Sequence, residues 1–225
     1  MAEFTQREVE GMRQVVIDIT GEAVRARAGA LSNMRGQIEF TPRLPTPGDV
    51  WRSLFTSEAR VRPWYRGTGK ILLQPSLTGY HIFDVLEEER WILEPGVYWA
   101  SEGTVKLGLR REPMFASLWA GDGLLNWKTT LSGQGGVAIN APGPVETLDI
   151  EGELRVQGRL VLGRTDSLRF RSVRSAPFPR NFISGQRRMR LFEGHGKVMV
   201  AWTPYWNQYM YNRMTGEDIE SSIFE

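Results

Sequence analysis

The stretch LSGQGGVAIN, residues 131–140, decides how the fold of this chain is predicted. A glycine-rich turn beside an apolar run resembles a phosphate-binding loop, but such loops lead from a strand into a helix. Here the glycines lead into VAIN, which reads as a strand. The same pattern recurs at residues 67–69 and 194–196. Neither recurrence has the glycine that a P-loop requires five residues before its Gly-Lys pair, because Trp64 and Leu191 stand there.

Two sets of glycines recur along the chain at nearly constant spacing. The Gly-x-Gly pairs begin at Gly67, Gly133 and Gly194, which are 66 and 61 residues apart. A second set precedes them at spacings of 67 and 62 residues: Gly29, Gly96 and Gly158. Two landmarks that keep register through three copies indicate an internal repeat. We expect the Gly-x-Gly pairs to form hairpin turns with glycine at positive φ.

Each copy has the pattern of several short strands. In the third copy Leu168 and Phe170 alternate with Arg169 and Arg171, which is the two-residue period of a strand with one buried face. Leu160 and Leu162 alternate with Val161 in the same way. We therefore predict one all-β domain, residues 1–225, with three repeats and a tail. The predicted boundaries are about 13–76, 80–143 and 145–204 for the repeats and 205–225 for the C-terminal tail.

Three segments resemble the AIM24 family, the mitochondrial biogenesis type that is grouped by fold with the tryptophan RNA-binding attenuator protein. They are ILEPGVYWASEGTVKL (92–107), SLWAGDGLLNWKTTLSGQGGVAIN (117–140) and FISGQRRMRLFEGHGKVMV (182–200). The resemblance covers roughly residues 15–203. The chain departs from the family in its short, proline-bearing connections TPRLPTPGDVWRSLF and RREPMFASLW. The resemblance implies three antiparallel sheet units around a pseudo-threefold axis, an attenuator-protein-like β-sandwich or prism. It brings no established catalytic residue, cofactor or ligand.

Composition limits the classes of function. The chain has 41% hydrophobic and 24% charged residues, as in ordinary globular proteins. It has no cysteine, which excludes disulfides, a thiolate nucleophile and cysteine metal sites. The first residues, MAEFTQREVEGMRQ, are charged and lack the apolar region of a secretory signal. No run approaches the roughly 18 apolar residues of a membrane helix. We expect no transmembrane segment and a cytoplasmic protein.

The sequence offers few candidates for catalysis or metal binding. His81 and His195 are the two histidines, and no nucleophile-elbow motif accompanies them. Asp149, Glu151 and Glu153 are two residues apart and would share one face of a strand. Such a face could hold a divalent cation, but we favour a solvated strand face with Ile150 turned inward. We expect no catalytic residue, no metal site and no cofactor, and thus a protein that is not an enzyme.

Arginines give the strongest chemical signal. Residues 155–190 contain ten arginines and one acid, Asp166. Arginine forks bind phosphate groups, so a basic surface here would suit RNA or another nucleic acid, an anionic membrane surface or an acidic protein. The acidic tail of the chain is an alternative partner in cis. The candidate polyanion patch consists of Arg169, Arg171, Arg187, Arg188 and Arg190.

Aromatic residues are dense near the C-terminus. They could stack on bases or sugars, or bury area in a contact with the domain itself or with another subunit, which we favour. The candidate partner contact consists of Trp202, Tyr205, Trp206 and Tyr209. Two hypotheses follow. The chain is a non-enzymatic scaffold or assembly protein that forms a homo-oligomer or binds a protein partner, or it binds a polyanion, RNA or anionic lipid, through the third repeat.

Overall fold

The computed structural model describes residues 1–42, 62–76, 79–111, 127–177, 180 and 188–202. This part of the chain is built from β-strands and one short 3-10 turn at Gly158–Leu160. The strands are Glu3–Val9 (β1), Met12–Ala26 (β2), Leu31–Thr41 (β3), Trp64–Leu73 (β4), Tyr80–Val85 (β5), Trp91–Leu93 (β6), Tyr98–Glu102 (β7), Lys106–Arg111 (β8), Trp127–Ser132 (β9), Gly135–Asn140 (β10), Val145–Val156 (β11), Val161–Thr165 (β12), Arg169–Arg174 (β13) and Arg188–Ala201 (β14).

The strands form two antiparallel sheets of seven strands each. The first sheet has the order β3-β4-β2-β7-β10-β5, with β1 paired to β2. The second has the order β11-β14-β12-β6-β9-β8, with β13 paired to β14. The predicted all-β class is confirmed. Because β5, β7 and β10 lie in the first sheet and β6, β8 and β9 in the second, the middle part of the chain joins the two sheets.

Three stretches of the chain each pair with the strands that come just before them in the sequence, and we call such a stretch a hub. The long strand β4 pairs with β2 and β3, and β14 pairs with β11, β12 and β13. A third such stretch, residues 127–140, is interrupted at Gly133 and Gln134. As a result, β9 pairs with β6 and β8, whereas β10 pairs with β5 and β7. In all three places, the Gly-x-Gly pair lies at the middle of the hub stretch.

A one-residue bulge recurs in these ladders. Leu31 faces Leu73 and Asn33 faces Leu72, so one residue of β3 is extra. The β7–β10 and β12–β14 ladders shift register in the same manner. The extra residues are Ser32, Trp99 and Leu162. A β-bulge bends its strand and fixes the register of the pairing.

A tight turn precedes each bulge at nearly the same distance. The turns are closed by backbone hydrogen bonds from Ala30 N to Arg27 O (3.0 Å), from Val97 N to Glu94 O (3.3 Å) and from Leu160 N to Gln157 O (3.0 Å). The first two contain Gly29 and Gly96 at φ +77° and +78°. The second set of recurring glycines therefore marks turns.

The hairpin prediction is wrong for all three Gly-x-Gly pairs. Gly133 and Gly135 lie at the junction of β9 and β10, which belong to different sheets and do not pair with each other. Gly67 and Gly69 have the expected positive φ, +135° and +152°, but they lie inside β4, and Gly194 (φ +119°) lies inside β14. A Cβ atom at Gly67 or Gly69 would overlap a carbonyl oxygen of β3. Glycine is needed there because the backbones of β3 and β4 approach each other closely, and not because the chain turns.

Apolar side chains fill one cluster within each sheet and one that joins the sheets. The joining cluster includes Leu93, Val137 and Met199, all fully buried. Every residue of β12 is buried, so the predicted alternation around Val161 fails, while that of residues 168–171 is confirmed. Each buried Leu, Ile or Phe contributes about 1.5–3 kcal/mol, and these clusters dominate the stability of the fold.

Candidate functional site

The outer arginines of the predicted patch lie on β13. Arg169 and Arg171 are exposed, as the strand period predicts. Arg171 Nη2 lies 3.1 Å from Glu193 Oε2 of the neighbouring strand β14, and Arg169 faces the same glutamate in the ladder. These contacts leave both guanidinium groups in solvent, where an ion pair contributes at most about 1 kcal/mol.

The remaining arginines of the patch do not share one surface. Arg188 is half-buried, and its Nε donates to Ser172 Oγ over 3.2 Å. Burial, and then the charge of Arg174 on the facing strand, lowers the pKa of Arg188. Arg190 is only 6% exposed and points into the protein. Arg187 lies outside the described residues.

Arg190 belongs to a buried cluster of charges. Glu94 Oε1 lies 2.6 Å from Arg190 Nη1 and 2.8 Å from Lys128 Nζ. The side chain of Lys128 is 1% exposed and that of Glu94 12%. Burial opposes ionisation of Glu94, but the two cations outweigh it and lower the pKa of this carboxyl. The carboxylate therefore stays charged and holds β6, β9 and β14 together.

The ring of Phe170 covers the cations of this cluster. Lys128 Nζ lies 5.4 Å from the ring centre, and the guanidinium carbons of Arg164 and Arg190 lie 5.8 and 5.7 Å from it. Cations within about 6 Å of an aromatic face are attracted by its quadrupole, by up to about 2 kcal/mol when desolvated. Arg164 also donates to the carbonyl oxygen of Leu168 over 2.8 Å.

A second cluster of cations and aromatic rings lies in the first sheet. The guanidinium of Arg25 lies 4.5 Å from the ring centre of Trp64, and that of Arg62 lies 4.7 Å from Tyr98. Arg62 Nη2 also donates to Thr129 Oγ1 over 3.0 Å. Burial lowers the pKa of Arg25. Both clusters use cations inside the fold, where they bind aromatic rings and neighbouring strands.

A family model described as mitochondrial biogenesis AIM24 matches residues 6–201. The chain belongs to the AIM24 family. Among solved structures, the X-ray crystal structure of protein SPYM3_0169 from Streptococcus pyogenes is similar, with a TM-score of 0.70 and 19% sequence identity. The match covers 96% of this chain and 100% of that one. At this identity the likeness shows the fold alone. A comparison with curated proteins gave no match.

Trp202 is the one member of the candidate partner contact that lies within the described residues. It is 56% exposed, and its Nε1 donates to Glu146 Oε2 over 2.8 Å. Tyr205, Trp206 and Tyr209 lie outside the described residues. The exposed indole of Trp202 is therefore a candidate contact at the end of β14.

The histidines and acidic side chains hold ordinary strand positions. His81 stacks on Phe83 with ring centres 6.0 Å apart, and burial lowers its pKa. His195 is exposed on β14. Asp149, Glu151 and Glu153 are exposed on β11, and the described residues contain no group of three potential metal ligands. The arrangement corresponds to a solvated strand face.

An open depression of about 690 Å³ lies on the first sheet and includes Glu22, Trp64 and Glu102 in its lining. The start of the chain occupies both carboxylates. The Met1 ammonium lies 2.6 Å from Glu22 Oε1, and this hydrogen bond, followed by backbone hydrogen bonds from Thr20 and Glu22, lowers the pKa of Glu22 to about 2. Ala2 N and Gly136 N donate to Glu102. These acids therefore stabilise the chain around the depression.

In the described residues, no helix is long and apolar enough to cross a membrane.

The sequence analysis missed the two buried clusters. Glu94 stands in an EPG segment that reads as a turn, and Lys128 stands in a strand with polar neighbours. The available signal is a lysine between Trp127 and Thr129 in a predicted strand. Its burial could not be predicted, because the pairing register of the strand decides which of its faces is buried.

Proposed function

We propose that this AIM24-family chain is a non-enzymatic scaffold or assembly protein built from three equivalent sheet units. In this proposal the units are residues 13–76, 80–143 and 145–204, and a tail follows. The recurring bulge carries the argument. In each unit two strands pair with the hub. The first strand is β2, the interrupted strand β5 and β6, or β11, and the second strand is β3, the interrupted strand β7 and β8, or the interrupted strand β12 and β13. Ser32, Trp99 and Leu162 are each the extra residue in the ladder between the second strand and the hub. Coincidence of a bulge, a preceding turn and a hub glycine in three places supports descent from one unit.

Contacts between successive units support the same proposal. The first strand of one unit pairs with the second strand of the next, as β2 pairs with β7 and β6 pairs with β12. We call each of these contacts a joint. The buried cations accompany the joints, because Arg62 contacts Tyr98 and Thr129, and Glu94 contacts Arg190. Arg190, which was predicted to belong to the polyanion patch, holds units together in this proposal.

The absence of catalysis is part of the proposal. Glu94 and Tyr98, two groups with shifted pKa values inside the fold, contact other structural residues. A pair of groups with a nucleophile and a base would be expected in an acyl- or phosphoryl-transfer site. His81 instead stacks on Phe83.

A cytoplasmic location likewise remains a prediction, and cell fractionation distinguishes it from the mitochondrial one that the family description suggests.

Polyanion binding is the second candidate function. The observation in its favour is the row of exposed arginines on β13, Arg169, Arg171 and Arg174, with Arg188 on the facing strand. Arg174 lowers the pKa of Arg188 after burial does, which indicates a locally positive potential. Arg171 contacts Glu193, which reduces this potential. RNA and anionic lipid are the polyanions that this face would suit.

One titration distinguishes the two candidates. Fluorescence anisotropy would be measured with labelled single-stranded RNA, and sedimentation with phosphatidylserine vesicles, at 50 and 200 mM salt. The scaffold proposal predicts no saturable binding to either probe. Binding of single-stranded RNA through the four arginines of this face predicts an affinity that falls by about 50-fold over this range, because each phosphate contact adds about 0.7 to the slope of log affinity against log salt.

The matched variant is Arg169→Glu with Arg171→Glu. Both side chains are exposed, so the variant is expected to fold. Salt-dependent binding that this variant abolishes would contradict the scaffold proposal and establish the arginine face. Binding that is unchanged in the variant would locate the polyanion elsewhere and would also contradict the scaffold proposal.

A further inference from the structure

The two joints between units have the same geometry. In the first joint, three residues of β2 face three of β7: Val24 with Glu102, Arg25 with Ser101, and Ala26 with Ala100. In the second, three residues of β6 face three of β12: Trp91 with Thr165, Ile92 with Arg164, and Leu93 with Gly163. Both joints are antiparallel and three residue pairs long.

Backbone hydrogen bonds at both ends make the equivalence stricter. At one end, Gly103 N donates to Ala23 O over 2.7 Å, and Asp166 N donates to Arg90 O over 2.8 Å. At the other end, the carbonyl of the bulge residue accepts. The bonds there run from Arg27 N to Trp99 O (2.7 Å) and from Glu94 N to Leu162 O (2.9 Å). At this end, a joint is thus closed by a hydrogen bond between the bulge residue of one unit and the first residue of the turn in the preceding unit.

β3 and β11 correspond to the two strands of a joint, but they do not pair with each other. Within its ladder, Met34 of β3 faces Ile71 as Ser101 faces Val137 and Arg164 faces Val198. Leu154 of β11 faces Phe192 as Val24 faces Tyr65 and Trp91 faces Leu131. Within the part of the chain that the structure describes, the first half of β3 is thus a second strand that pairs with no first strand of another unit, and the second half of β11 is a first strand that pairs with no second strand of another unit.

These two strand edges are more exposed than their counterparts. Met34 is 41% exposed, whereas Ser101 and Arg164 are 0% and 5% exposed. Arg155 is exposed, whereas Arg25 is half-buried and Ile92 is buried. Among the described residues, β3 pairs only with β4 and β11 only with β14. Both edges accordingly present unpaired backbone groups, which is the feature that allows a strand to be added to a sheet.

We propose that β11 of one copy of this chain pairs with β3 of a second copy and forms a third joint between molecules. The register is that of the internal joints. It places Arg155 opposite Met34, with Gly36 N donating to Glu153 O and Gln157 N donating to Ser32 O. This inference rests on the proposed equivalence of the three units. The contact is head to tail, so copies add in one direction and form a ring or a filament.

A second copy is the occupant that fits both edges at once. If the chain closed on itself, β3 and β11 would be buried in the same way as the strands of the internal joints, and they are not. Every copy carries one edge of each kind, so each β3 edge in solution has a β11 edge of matching register. A different protein would need to reproduce this backbone register by itself.

Engineered disulfides test this inference, because the chain has no cysteine of its own. The test variant carries Met34→Cys and Arg155→Cys. Directly opposed residues of an antiparallel ladder have Cα atoms about 4.5–5.5 Å apart, which allows a disulfide. Both side chains are exposed, and neither belongs to a core cluster. The full chain is oxidised at micromolar concentration and resolved on a non-reducing gel.

The expected result is a ladder of covalent oligomers that reduction removes. The control variant, Gln37→Cys with Arg155→Cys, moves one thiol by three residues, or about 10 Å along the strand, and should give no ladder. Mixing the two single variants should give a dimer and nothing larger, because each then carries one half of the joint.

Three outcomes would overturn the inference. An internally linked monomer would show that β11 closes on the β3 of its own chain. Dimers of the Met34→Cys single variant alone would show a symmetric contact. A variant that folds, judged by an unchanged thermal transition, and forms no link would show that another part of the chain covers the edges. None of these outcomes would affect the titration with RNA and vesicles, which tests the scaffold proposal separately.

Discussion

Replacing Glu94 with glutamine is expected to lower the free energy of unfolding by about 3 kcal/mol, since breaking a buried ion pair typically costs 3–5 kcal/mol and the amide oxygen still accepts a hydrogen bond. The variant leaves the buried cations Lys128 and Arg190 without their carboxylate, which lies 2.8 and 2.6 Å from them. For a domain of this size, the melting temperature should fall by about 6–12 °C. Chemical and thermal denaturation at pH 7 measure both quantities.

The pH dependence gives an independent check of this contact. The folded protein holds the pKa of Glu94 below its ordinary value of 4.5. The stabilisation is therefore fully present above pH 4.5 and is lost as the pH falls through the lower, folded pKa. The difference in stability between the native chain and Glu94→Gln should be constant from pH 7 to about 5 and should shrink in more acidic solution.

The matched control for Glu94 is Glu8→Gln. Glu8 Oε2 lies 3.6 Å from Arg13 Nε in an exposed pair, so the substitution should change stability by less than about 1 kcal/mol. If Glu94→Gln were as mild as this control, or if its effect did not decrease in acid, the buried cluster would not hold the units together.

Replacing Gly69 with alanine is expected to destabilise the protein by about 3 kcal/mol, through a positive φ and a steric overlap together. Gly69 has φ +152°, and its added Cβ atom would overlap the backbone of Arg35 in β3. Backbone atoms in a sheet ladder cannot move aside as a flexible side chain can. Equilibrium denaturation in guanidinium chloride measures the loss.

Gly152→Ala is the control for conformational strain alone. Gly152 also has a positive φ, +115°, but no atom lies within 4 Å of the added Cβ. Its loss should be about 1 kcal/mol, so the difference between the two variants reports the close approach of β3 to β4. Equal losses would show that conformation, and not the contact between strands, requires glycine at residue 69.

The recurring glycines allowed the all-β class to be predicted from the sequence, but not the role of each glycine. A glycine at positive φ has the same local signature in a hairpin turn and in a strand that passes close to another backbone. Only the position of β3 beside Gly67 and Gly69 separates the two. The hub strand β4 was therefore predicted as two pieces. The turn glycines Gly29 and Gly96 needed no partner strand and could be assigned locally.

The arginine patch shows the same limit for the candidate site. Strand alternation placed Arg169 and Arg171 outward correctly, because Phe170 between them is apolar. For Arg190, the sequence contains no sign that a glutamate from a distant turn, Glu94, lies beside its guanidinium group. Burial of a charged residue depends on a partner far away in sequence, which strand periodicity cannot supply.

Native mass spectrometry of the protein purified at low salt tests most directly whether this chain is an assembling scaffold. The account predicts a multiple of the 25.6 kDa chain mass with no additional mass. A mass of one chain, or a heterogeneous additional mass that nuclease or lipid extraction removes, would contradict it. The additional mass, unlike the single-chain mass, would make the exposed arginines of β13 the candidate functional site.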